Sequence, residues 1–179
     1  MQTRMIEIPD RQNDEKQVRH PIVLKRILAP TDLTLDGKKA VEYAVALSEH
    51  FDAQLTLLHV YQAPGANDYA RMLNGYSIAD HFQENAQNAL DSFWSKIRKE
   101  HPKTDTQLRC GVPAEEIVSV ARDLEVDLIV ISTHNYHWFT HLMDGSDAEQ
   151  VLRHAPCPIL IVREEERDFL ATNQFRFMS

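Results

Sequence analysis

The segment 128–149, Leu-Ile-Val-Ile-Ser-Thr-His-Asn-Tyr-His-Trp-Phe-Thr-His-Leu-Met-Asp-Gly-Ser-Asp-Ala-Glu, decides the fold. It opens with a run at 128–131 that carries no polar side chain, the pattern of a strand buried on both faces. It closes on Ser146 followed three residues later by Glu149, the pattern of a capping box at a helix start. A helix N-terminus just past a buried strand is a natural anion site. Its unpaired N–H groups and its dipole act at the same point.

Working outward, the same alternation recurs along the chain. Residues 23–29 read as a first strand ending at Pro30, and Thr34 or Asp36 can cap the helix that follows. In that helix Ala40, Val41, Ala44, Val45, Leu47 and Phe51 recur at helical spacing. Residues 54–60 read as a second strand. A long loop at 61–76, with Pro64, Gly65, Asn74 and Gly75, has the length of a lid or binding segment, or of a disordered one. Ser77 can cap the next helix, whose inner face is marked by Ile78, Phe82, Ala86, Ala89, Leu90, Phe93 and Ile97. A third strand is expected at 106–110. After a Gly-Val-Pro turn, Glu115 and Glu116 fall in a helix's first turn, where the dipole favours them. The inner face of that helix is Ile117, Val118, Val120, Ala121 and Leu124. In the helix from Ser146, Ala148, Val151, Leu152 and Ala155 are expected to point inward, with Pro156 and Pro158 ending it. Residues 159–162 form a last strand.

The order β-α-β-α-β-α-β-α-β predicts an α/β fold: one doubly wound, open parallel sheet of five strands covered by helices on both faces. The expected domain is 23–163. Residues 1–22 read as a flexible arm, with a short extra strand near Ile6 and Ile8 as the alternative, and 164–179 as a C-terminal tail. That tail, with Phe169, Phe175 and Phe177, is either solvated or docks a partner.

The composition is ordinary for a globular chain of 179 residues, with 43% hydrophobic and 26% charged residues. A net charge of −8 argues against non-specific binding to nucleic acid or anionic membrane. No apolar run approaches membrane-spanning length, and the charged first 20 residues lack the apolar stretch of a secretory signal. Cys110 and Cys157 stand in no metal-ligand spacing. They read as small core residues of a protein in a reducing compartment, so a cytoplasmic location is expected.

In open α/β sheets ligands bind beyond the carboxyl ends of strands, where the strand order reverses. This points to Pro30, Thr31 and Asp32 after the first strand and to Ser132 onward after the fourth. Five blocks there and elsewhere closely resemble the universal stress protein family: Ile-Leu-Ala-Pro-Thr-Asp (27–32), Leu-Thr-Leu-Leu-His-Val (55–60), Gly-Val-Pro-Ala-Glu-Glu-Ile (111–117), Asp-Leu-Ile-Val-Ile (127–131) and the stretch from Gly145-Ser146 to Pro-Ile-Leu-Ile-Val (158–162). The resemblance spans about residues 24–162. It implies strand order 3-2-1-4-5, the fold of the adenine-nucleotide alpha-hydrolase-like proteins, and a homodimer joined along the last strand, Ile159–Val162. It also implies a stress-response role and binding of ATP or another adenine nucleotide through Gly-x2-Gly-x9-Gly-Ser/Thr. On this chain that motif falls on Ser132, Asn135, Gly145 and Ser146. The adenine side falls on Pro30, Asp32, Val60 and Ile131.

The spacing of the motif is kept, but its first two glycines are not. Glycine lets backbone N–H groups approach a phosphate without a Cβ and permits positive φ. Asn135 can still adopt that conformation; Ser132 does so less readily. Tyr136, His137, Trp138 and Phe139 could fill the groove, and Asp144 and Asp147 bracket Gly145-Ser146. A carboxylate roughly 6 Å from a phosphate charge costs on the order of 3 kcal/mol at an effective dielectric near 20. Asp147 also offers the helix dipole the negative charge a phosphate would supply. Three states of the crevice stay open: a triphosphate, a nucleoside or other small ligand on the adenine side, or no nucleotide. In the last case the chain would be a dimeric interaction module, acting on an unidentified protein partner. Asp32 has two readings, ligand contact or cap of its own loop.

His134, His137 and His141 fall at i, i+3, i+7, yet no cysteine joins them and the segment reads as irregular, so no metal site is expected. Ser146 has no base beside it in sequence, and no nucleophile elbow, Walker motif or His-Glu-x-x-His occurs. The chain therefore reads as a binding protein without a catalytic residue.

Overall fold

The computed structural model describes residues 21–34, 37–62, 78–98, 101–132, 147–163 and 170. Its elements are β1 (Arg26–Pro30), α1 (Lys38–Phe51), β2 (Gln54–Tyr61), α2 (Ile78–Arg98), β3 (Thr104–Cys110), α3 (Pro113–Asp123), β4 (Leu128–Ser132), α4 (Asp147–His154) and β5 (Ile159–Val162). The strands form one parallel sheet in the order β3-β2-β1-β4-β5. Fold class and strand order are those expected.

The period of two along each strand divides the interior into two cores. Ile27, Ala29, Leu55, Leu57 and Val130 face α1 and the C-terminal half of α2. Leu28, Leu58, Ile129 and Ile131 face α3 and α4, meeting Ile117, Val120, Ala121 and Val151. Each such leucine, isoleucine or valine, fully removed from water, contributes roughly 1.5–3 kcal/mol. Leu170 packs against the first core from beyond β5.

Several expectations need correction. β1 begins at Arg26, not residue 23, and Val23 is 61% exposed. The reason is Asp127, whose Oδ2 accepts from the N–H of Lys25 at 2.7 Å and of Arg26 at 2.9 Å, ending the sheet there. β2 takes in Tyr61, and β3 starts two residues early at Thr104. α1 has Gly37 at its N-cap with no side-chain cap, so Thr34 does not cap the helix directly. Phe82 is 42% exposed and Ala89 is exposed. α2 has 21 residues, about 31 Å at ~1.5 Å per residue, and outruns the 7-residue β3 it covers, about 23 Å. Leu152 is 51% exposed, because Val151 and Ala155 take the buried stripe of this short helix. Cys110 is exposed at the end of an edge strand and Cys157 is half-buried, so neither is a core residue.

The arm before residue 21, the loop 63–77, the aromatic and histidine run 133–146 and most of the C-terminal tail lie outside the described residues. Among the described residues no helix is long and apolar enough to cross a membrane, and none of the side chains groups as a metal site.

Candidate functional site

The strand order reverses between β1 and β4, and the ladder between them is short. It pairs Ile27 with Leu128 and Leu28 with Ile129, whereas β1 and β2 stay paired through Pro30 and Leu58. Pro30 supplies the cause. The N–H of Thr31 donates to Leu58 O on the β2 side, while Arg26 O accepts from Asp127 N on the β4 side. By alternation the nitrogen of Pro30 faces β4, and it carries no hydrogen to donate. The ladder stops at that point, the switch point of the sheet, where open α/β folds bind ligands in the crevice outside their strand ends.

Around its mouth stand Pro30, Thr31 and Asp32 from β1, and Ile131 and Ser132 from β4. Pro30, Thr31, Ile131 and Ser132 are buried. Extending the register places Ile131 level with Pro30, and Val60, half-buried, two residues farther along β2. These sequence-derived positions are thus brought to one end of the sheet. Asn135, Gly145 and Ser146 lie outside the described residues, as do Asp144, Trp138 and Phe139.

Polar side chains bonded to backbone shape the loop after β1. Thr31 Oγ1 accepts from Leu33 N at 3.1 Å, and Asp32 Oδ1 accepts from Thr34 N at 3.0 Å and Thr34 Oγ1 at 2.7 Å. These are side-chain mimics of a backbone turn. They hold Leu33 at φ 64°, a conformation that ordinary residues avoid. Thr34 Oγ1 in turn accepts from Gly37 N at 3.4 Å. A Cβ on Gly37 would lie 3.0 Å from Asp32 Oδ1, so glycine there makes room for the carboxylate. Of the two readings of Asp32, the loop cap holds for Oδ1, and the ligand contact concerns what remains of the carboxylate.

From sequence, His59 at the end of the second strand reads as a surface or loop-packing histidine, and Gly37 carries no signal. His59 Nδ1 lies 2.9 Å from Thr31 O, a hydrogen bond in which the ring nitrogen donates, tying the loop to β2. A histidine one residue before the adenine-side position Val60 was the available signal. Beyond Val60, Tyr61 pairs in register with Cys110. Burial, then a hydrogen bond and charge from Cys110, and the charge of Asp80 raise its phenol above the usual tyrosine range.

The model of the universal stress protein family matches residues 24–163. This chain belongs to that family. Among its relatives, a universal stress protein of Methanocaldococcus jannaschii is 28% identical over 144 residues, 80% of this chain and 85% of the relative. A universal stress protein solved in complex with cAMP superposes with a TM-score of 0.53 at 20% identity, covering 79% of this chain and 98% of its own. The universal stress protein from Archaeoglobus fulgidus in complex with dAMP superposes with a TM-score of 0.55 at 19% identity, covering 78% and 98%. At such identities the superpositions speak for the fold. Family membership makes this a stress-response protein and gives the crevice its interest.

Proposed function

We propose that the chain binds an adenine nucleotide in the β1/β4 crevice and acts as a homodimeric, non-catalytic sensor in the cytoplasm. The observation that carries this reading is the β1–β4 ladder that stops at Pro30 at the switch point, with Asp32 just beyond it and only Oδ1 committed to its loop. Pro30, Val60 and Ile131 supply apolar surface for a base, and Asp32 an acceptor for its polar edge or for a ribose hydroxyl. The two structural neighbours named above hold adenosine monophosphates, ligands that demand less of a phosphate cradle than ATP does. That suits a motif whose first two glycines are Ser132 and Asn135 and whose helix start carries Asp147. The ligand favoured here is a monophosphate, with Gly145 and Ser146 contributing what phosphate contact there is. The dimer forms along Ile159–Val162, which among the described residues is an edge strand of the sheet.

Calorimetry with AMP, dAMP, cAMP and ATP tests the reading. Monophosphates should bind at least as tightly as ATP, and Ser132→Gly with Asn135→Gly and Asp147→Val should raise ATP affinity about a hundredfold, the equivalent of ~3 kcal/mol. Absence of binding by every adenine nucleotide would leave the interaction module as the function of this fold. Sedimentation of the wild type against Leu160→Lys tests the dimer.

A further inference from the structure

β3 ends the sheet on one side, and among the described residues no strand lies beyond it. Its backbone groups divide by parity. Leu55 N donates to Lys103 O and Gly111 N donates to Tyr61 O, so the odd-numbered residues of β3 turn their N–H and C=O toward β2. The even-numbered residues turn theirs away from the sheet. Thr104 is sealed: it is buried, its Oγ1 has no hydrogen-bond partner, its N–H donates to His101 O and its carbonyl accepts from the Trp94 indole at 3.0 Å. Among the described residues nothing similar takes the outward groups of Thr106 and Leu108. The strand, Thr-Asp-Thr-Gln-Leu-Arg-Cys, carries no proline or lysine, and its register with β2 runs without a bulge. The features that usually blunt an open edge are missing.

The side chains say what the edge fits. Asp105, Gln107 and Arg109 stand on one face, where Arg109 reaches toward Asp123 of α3. Read from either end, this row gives the same spacing with the sign of charge reversed, about an uncharged centre. An antiparallel copy related by a two-fold axis at Gln107 therefore sets each carboxylate opposite a guanidinium. Moving the axis to Asp105 or to Arg109 would set like charges face to face. The odd-numbered positions would be the pairs without mutual backbone bonds, where side chains approach most closely. Both charges have capacity to spare. Asp105 Oδ2 accepts from Gln54 Nε2 at 2.5 Å, which leaves Oδ1, and Arg109 Nη2 stands 3.8 Å from Asp123 Oδ2, beyond hydrogen-bond distance.

We propose that β3 is an interaction surface for a second copy of this chain, joined antiparallel about Gln107. Thr106 exchanges both backbone hydrogen bonds with the partner's Leu108, and Leu108 with the partner's Thr106. Asp105 meets the partner's Arg109, and Arg109 the partner's Asp105. Trp94 closes the edge at Thr104, so the pairing covers 105–109, and so short a contact is weak and concentration-dependent. β5 lies at the other side of the sheet, so this contact and the dimer proposed there do not compete. Neither depends on nucleotide binding.

Sedimentation into the high micromolar range tests the pairing, in a Leu160→Lys background that removes any β5 contact. That protein should still associate. Asp105→Arg and Arg109→Asp each oppose like charges and should each weaken association about tenfold or more. Mixing the two variants should restore it, since each then offers the charge the other lacks. The double exchange, Asp105→Arg with Arg109→Asp, should restore it within one protein. These recoveries separate pairing from loss of fold. In the chain that keeps Leu160, the same exchanges should remove and restore the largest species, which guards against misfolding of Leu160→Lys. A folded Leu160→Lys protein that stays monomeric would overturn the proposal. So would single exchanges that leave association unchanged, or a mixture and a double exchange no stronger than the singles.

Discussion

The two ends of the sheet are built on opposite plans. At the amino end of the central strands, one carboxylate closes the gap between neighbours: Asp127 Oδ2 takes two N–H groups from the segment entering β1, while Arg26 reaches Leu124 O at 2.6 Å and Glu125 at 3.1 Å. At the carboxyl end Pro30 withholds a donor, the β1–β4 ladder stops, and the carboxylate of Asp32 bonds within its own loop. The same residue type thus serves cohesion at one end and loop shape at the other. The contrast teaches where this fold holds its stability and where the proposed ligand would enter. An open backbone donor at that end would weaken the sheet, and Pro30 has none to leave open.

The largest expected effect lies at the closed end. Asp127→Ala removes two exposed charge-assisted bonds that join β1 to the segment before β4 and should cost about 1–2 kcal/mol in urea unfolding, at ~0.5–1.5 kcal/mol net per bond. A loss under ~0.5 kcal/mol would erase the distinction between the ends. Asp32→Ala should be milder, about 0.5–1 kcal/mol, because its bonds stay within one loop, whereas those of Asp127 tie β1 to a segment distant in sequence. Its main effect should fall on nucleotide affinity in the same calorimetric titration. If Asp32→Ala unfolds the protein as readily as Asp127→Ala, the open end is structural after all.

The smallest effect concerns the thiols. Burial first, and the negative charge of Asp127 second, push the Cys157 thiol above its ordinary value of 9.0, against a weaker opposing hydrogen bond from the backbone of Ile129. Above pH ~9 the unfolded chain therefore releases a proton that the folded chain keeps, so stability falls as pH rises there and is unaffected below. Tyr61, raised from 10.0, adds to the fall at higher pH. Cys157→Ala should flatten the decline in Tm between pH 8.5 and 10 by about one or two degrees. With Asp127→Ala the same slope should also shrink, which ties the thiol to the closed end. At pH 8 the exposed Cys110 should react with a thiol reagent faster than Cys157.

Much of this molecule was legible in the order of its residues. Runs such as Leu-Thr-Leu-Leu and Leu-Ile-Val-Ile announce strands covered on both faces, and the helical spacing of Ala40, Val41, Ala44 and Val45 announces what covers them. Those signals are local, so element type and succession follow from them. Where an element ends depends on partners distant in sequence. Val23 has the side chain of a strand residue, but Asp127 takes the N–H groups of Lys25 and Arg26 and the strand starts later. Phe82 and Leu152 keep the helical period and still meet water, because α2 outruns the sheet and α4 buries a narrow stripe. The site divides in the same way. Pro30, Asp32 and Ser132 could be named from position after strands and Ile131 from the family resemblance, whereas His59 holding Thr31 O, and Gly37 leaving room for Asp32, come from neighbours that only folding brings together.

The sequence by itself determined the layered α/β architecture, because periodicity resides in single residues, and its resemblance to the universal stress protein family implied the strand order and the loss of two motif glycines. Tertiary structure alone decided that the β1–β4 ladder stops at Pro30, that one carboxylate closes the far end of the sheet and that the Thr104 hydroxyl is buried without a partner. Each of these depends on what lies across a strand or a turn, and such a neighbour exists only once distant segments have packed.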